Sequence, residues 1–82
     1  MSVARQELRQ WILDALAHSS GSATLIDICR WVWKHHQQDL ESAGDLLYTW
    51  QYDIRWAATQ LRMDGRLKPA SESPRGVWEL SA

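Results

Sequence analysis

The chain lacks a second cysteine, so Cys29 has no partner for an internal disulfide, and neither a CxxC redox pair nor a cysteine-based zinc spacing can be formed. A reducing cytoplasm is therefore the expected compartment. No apolar run approaches the length of a membrane span, and the opening residues Met1-Ser2-Val3-Ala4-Arg5-Gln6-Glu7 become charged too early for a secretion signal. We expect a soluble, unexported protein with no membrane partner. Also missing are a Gly-rich phosphate loop, a Ser-His-Asp arrangement and a pair of catalytic carboxylates. Neither an enzyme nor a bound cofactor is expected. Internal repeats, linkers and low-complexity tracts are absent too, and residues 1–82 read as a single domain.

An overall basic excess is likewise lacking, since the net charge is -1. The distribution is uneven. Residues 35–54 carry Asp39, Glu41, Asp45 and Asp53 without one lysine or arginine, whereas residues 55–82 carry five basic and three acidic groups. Phosphate neutralisation supplies much of the affinity of nucleic-acid binders, so the C-terminal third is where such binding belongs.

What the chain does have is apolar bulk: a hydrophobic fraction of 45% and six tryptophans, enough buried surface to offset the entropy of ordering a small domain. Leu8, Trp11, Ile12, Ala15 and Leu16 recur on one face of a first helix, which stops at Ser19-Ser20-Gly21-Ser22. Ala23 falls in a short strand. Thr24, followed by Asp27, caps a second helix over Leu25 to His36, whose core stripe is Leu25, Ile28, Cys29, Val32, Trp33 and His36, with Trp31 off the stripe. Residues 37–48 read as a long connection containing one or two short helical turns. Thr49 then caps a third helix over residues 49–65, with Trp50, Ile54, Ala57, Ala58 and Leu61 inward and Gly65 at its end. Arg66 to Ala70 and Gly76 to Leu80 read as two strands joined by a turn at Ser71 to Arg75. This order makes an α+β, mostly α domain: a winged helix-turn-helix of three helices plus a C-terminal two-stranded β wing over residues 66–80.

The residues Arg55-Trp56-Ala57, Leu61, Gly65-Arg66-Leu67 and Arg75-Gly76-Val77-Trp78-Glu79-Leu80 resemble the N-terminal winged-helix domain of Mrr-type restriction endonucleases. The resemblance covers Trp50 to Leu80 in its motifs and the first half in element order. Most of its positions are core residues, so it speaks more to fold than to function. The nuclease domain of that family has no counterpart within these 82 residues.

Two functions fit the outward face of the third helix. As a recognition helix it would offer Gln51, Tyr52, Arg55, Thr59 and Arg62 to double-stranded DNA, with Arg66, Lys68 and Arg75 of the wing reaching the backbone. Alternatively, Tyr52, Trp56 and Met63, together with Trp31, form an apolar surface for a protein partner or a homodimer. Packing beneath the 37–48 connection, or beneath a second protomer, is the plainer expectation for Trp56. His35, His36 and Asp39 have metal-like spacing, yet adjacent histidines diverge by about 100° on a helix, so helix-end solvation is expected rather than a metal. Cys29 on the core stripe reads as a small buried hydrophobe, not a nucleophile.

Overall fold

The computed structural model describes residues 5–81, which form three α-helices and a two-stranded antiparallel sheet, a mostly helical α+β arrangement. No helix among them is long and apolar enough to cross a membrane. α1, Glu7–His18, buries Leu8, Trp11, Ile12, Leu13, Ala15 and Leu16, the expected stripe widened by one position. It ends where Ser20 and Gly21 both take positive φ, which lets the Gly21 N–H turn back and donate to the Leu16 carbonyl at 2.7 Å.

β1, Ser22–Thr24, leads directly into α2, Leu25–Glu41. Thr24 caps α2 as its position implies, its hydroxyl accepting from the Asp27 N–H at 3.2 Å. The helix runs on past the expected end at His36. There the backbone departs from helical geometry (φ -128°, ψ 20°), and the chain resumes as helix to Glu41. Beyond the break Leu40, which continues the 28/32/36 spacing, is fully buried in the core. Most of the expected 37–48 connection is thus helix, and only Ser42 to Asp45 link α2 to α3, with the positive φ of Gly44 making the reversal.

α3, Leu46–Met63, starts three residues before the expected cap. Thr49 is not a cap: its hydroxyl donates to the Asp53 carboxylate at 2.8 Å within the helix. Leu46, one turn before Trp50, extends the inward stripe of Trp50, Ile54, Ala57, Ala58 and Leu61, and its burial favours the early start. Gly65, at φ +77°, reverses the chain after α3, and the Arg66 N–H closes the end on the Leu61 carbonyl at 2.8 Å.

The expected wing hairpin is corrected. Only β2, Val77–Glu79, is a strand in this region, and it pairs with β1 in the register Ser22↔Glu79, Ala23↔Trp78 and Thr24↔Val77. Residues 66–70 contribute one isolated bridge, Leu67↔Leu80, reinforced by the Lys68 N–H donating to the Glu79 carbonyl at 2.9 Å. Pro69, with no N–H to give, stops that ladder, and Ala70–Glu72 form a single 3-10 turn instead. Leu67 and Trp78 are buried and close the core from the sheet side.

Candidate functional site

The outward face of α3 carries Tyr48, Gln51, Tyr52, Arg55, Thr59 and Met63, all exposed, with Arg62 half-buried at its edge. Helical spacing puts them together, since they lie opposite the Trp50/Ile54/Leu61 stripe. Asp53, the sole acidic residue of α3, points elsewhere and is engaged by Thr49. From Leu46 to Met63 the face therefore carries no carboxylate. Tyr48, 85% exposed, joins this face because α3 begins at Leu46 and not after Thr49. Its spacing of four from Tyr52 was the available signal.

Arg62 is anchored rather than free-swinging. Its Nε is enclosed without a hydrogen-bond partner among the described residues, and its guanidinium carbon lies 6.0 Å from the centre of the Trp78 ring. Arg62 and Arg75 line one concavity of about 370 Å³ between α3 and the 70–78 segment. Arg55 faces the other side of α3, toward α2, where it shares a cleft with Arg30. Among the described residues, none of Arg30, Arg55, Arg62 and Arg75 is in an ion pair. Thr59 donates its hydroxyl proton to the Arg55 carbonyl at 3.1 Å, leaving the oxygen as an acceptor.

Two expected wing contacts do not join this set. Lys68 is charge-compensated by Glu79, at 3.7 Å, because the Leu67 bridge brings them side by side. Arg66 lies against the α1 side, lining a depression with Gln6, Arg9 and Gln10. There Arg9 is ion-paired with Asp64 at the end of α3.

Of the four residues expected as an apolar interface, Tyr52, Trp56 and Met63 share one side of α3, and Trp31 stands apart on α2. Tyr52 and Met63 are exposed, at 79% and 76%. Trp56 is half-buried, and the Arg5 guanidinium sits 3.8 Å from its ring centre. Trp31 is half-buried on another side, between α1 and α2, where it stacks on His35 at 4.2 Å, with His18 at 6.3 Å. Trp33, expected in the core, is instead 37% exposed and lies parallel to Trp50 at 6.1 Å.

The histidines are packed rather than simply solvated. His36 stacks on Trp11 at 3.9 Å, with its Nδ1 3.3 Å from the Asp39 carboxylate, and His35 Nδ1 donates to the Trp31 carbonyl at 2.9 Å. Among the described residues there is no group of three or more His, Cys, Asp or Glu side chains that could hold a metal ion. Cys29 is half-buried in the α2/α3 cleft, and burial pushes its thiol pKa up, with Arg55 partly opposing the shift.

Compared with known proteins, the chain matches no family model, no curated sequence and no solved structure.

Proposed function

We propose that this chain is a non-catalytic winged helix-turn-helix domain that binds double-stranded DNA, with α3 as the recognition helix. The observation that carries this reading is the outward face of α3, where Arg55 and Arg62 stand with no carboxylate among them and Arg30 and Arg75 flank them, all four unpaired among the described residues. The element order helix, strand, helix, helix, sheet supports the same assignment, and the resemblance of the segment from Trp50 to Leu80 to the Mrr-type N-terminal domain agrees with it. The 70–76 segment takes the place of the wing and is much reduced.

In this reading α3 lies in the major groove. Arg55 and Gln51 meet base edges, the Thr59 oxygen accepts from an exposed base amino group, and the Tyr48 and Tyr52 hydroxyls donate to phosphate oxygens. Arg62, braced on Trp78, and Arg75 on the reduced wing hold the flanking backbone. The acidic Asp39, Glu41 and Asp45 cluster around the α2–α3 turn, so the net charge of -1 coexists with a locally basic face.

The test is fluorescence anisotropy with a labelled random-sequence duplex over a salt series. If Arg62 and Arg75 each neutralise a phosphate, log K falls against log salt with a slope of about -1.8, at roughly 0.9 per contact. Arg62→Gln and Arg75→Gln should each reduce the steepness by about 0.9, while Lys68→Gln, already balanced by Glu79, should leave it unchanged. No binding at low salt, or a slope indifferent to the arginine changes, overturns the reading.

A further inference from the structure

An open cleft of about 630 Å³ runs between α2 and α3. Its deeper wall is Leu25, Cys29, Leu47 and Trp50, and exposed Ile26 (63%) and Trp33 (37%) continue the apolar surface outward. Arg30 from α2 and Arg55 from α3 stand at its edges, each without an ion pair among the described residues. Two unpaired guanidinium groups beside uncovered aromatic and aliphatic surface fit neither a phosphate backbone, which has no use for Ile26 and Trp33, nor a purely apolar ligand, which leaves the arginines unused.

We propose that this cleft docks an acidic amphipathic helix from a partner protein, its apolar side chains seated against Ile26, Trp33 and Trp50 and its carboxylates on Arg30 and Arg55. Charge complementarity fixes the sign of the partner, because the rim charges are both cationic and the guanidinium fork matches a carboxylate bidentately. The lining fixes the partner's secondary structure. Every lining residue belongs to α2 or α3, so no free sheet edge is offered to an extended peptide, and groove docking of a helix is the mode that remains. The length follows as well. The α2 side presents positions 25, 26, 29 and 33 and the α3 side 47, 50, 51 and 55, about two helical turns on each wall, which an occupant with apolar residues at i, i+4 and i+7 would span. Arg55 is shared with the face assigned to DNA, so the partner helix and duplex DNA compete for this domain.

The experiment is a selection of binders from a display library of random helix-forming peptides against the intact protein, followed by titration of the enriched peptides on variants. Enriched sequences should combine apolar residues at helical spacing with Asp or Glu, and should bind with a change in tryptophan emission. Arg30→Glu and Trp33→Ala, both at exposed positions and checked for unchanged circular dichroism, should each weaken binding by about tenfold or more, the loss expected at a hot spot. Replacing the peptide carboxylates by lysine should restore affinity for the Arg30→Glu variant. Arg75→Gln, outside the cleft, should leave peptide binding intact while weakening DNA binding, so the two readings fail separately. No enrichment, enrichment of basic peptides, or binding indifferent to Arg30→Glu overturns the proposal. So does an unliganded protein that sediments as a dimer and is dissociated by Trp33→Ala, since the cleft would then be filled by a second copy.

Discussion

Leu40→Ala is the sharpest probe of the architecture, because two descriptions of the 37–48 region assign it opposite costs. If that region were a solvated connection, the substitution would shift stability by no more than about 0.5 kcal/mol, the usual range for surface changes. In the structure Leu40 sits one turn past the break at His36 with none of its surface exposed, packed in the same core as Ile28, Val32 and Leu46. Truncation removes three buried carbons, about 2.4 kcal/mol at roughly 0.8 kcal/mol each. The cavity left in a core that relaxes only partly brings the total to the roughly 2–5 kcal/mol of buried leucine truncations. A domain of 82 residues holds a total on the order of 4–12 kcal/mol, so the loss is a large fraction of it. At about 4–8 °C per kcal/mol, a cost of about 3 kcal/mol lowers the thermal midpoint by roughly 12–24 °C. Thermal and urea unfolding followed by circular dichroism at the helical band measures this, with Gln38→Ala on the exposed side of the same turns as control. A midpoint within about 4 °C of the parent would refute the continuation of α2 into the core.

Two further expectations concern single residues. Burial raises the Cys29 pKa, so less thiolate is present at neutral pH and the folded protein should react with iodoacetamide more slowly than it does in urea. Because the folded pKa lies above the unfolded one, the stabilising contribution of the neutral thiol is intact below the unfolded value near 8.5 and is lost as pH rises through the folded value. A thiol equally reactive in folded and unfolded protein would contradict its placement in the cleft wall. Gly65→Ala should cost about 1–2 kcal/mol from the left-handed backbone alone, since nothing lies within 4 Å of the added Cβ. An unchanged thermal midpoint would show that α3 does not close through this residue.

Local signals carried several element ends and the first helix. The stripe of α1, the Thr24 cap and the glycine after α3 were readable because each depends on chemistry within a few residues. Where a long-range contact decides, local pattern does not reach the outcome. With α2 ended at His36, Leu40 falls in the connection although it continues the 28/32/36 spacing, and its burial depends on the core it shares with α3. Trp31 and Trp33 exchanged roles because His18, at the far end of α1, supplies a packing partner for Trp31 that no periodicity in α2 announces. Pro69 was visible, yet its effect on the expected strand emerges only once β2 is paired to β1 instead. In the candidate site, Gln51, Tyr52, Arg55, Thr59 and Arg62 share a face because a helix wheel suffices to group them. Lys68 and Arg66 stand apart from that face because the sheet register and the α1 packing set their surroundings.

The pairing of β1 with β2 joins segments about two thirds of the chain length apart, and this bears on the order in which the molecule assembles. Each helix can gain from contacts close in sequence, but the sheet cannot form until the intervening chain has been gathered, at a loop-closure cost that no local contact repays. The strands should therefore lock late, sealing Leu67 and Trp78 over helices already associated. Substitutions in β2 would then act mainly on how fast the native state opens, and those in α1 and α3 on how fast it is reached.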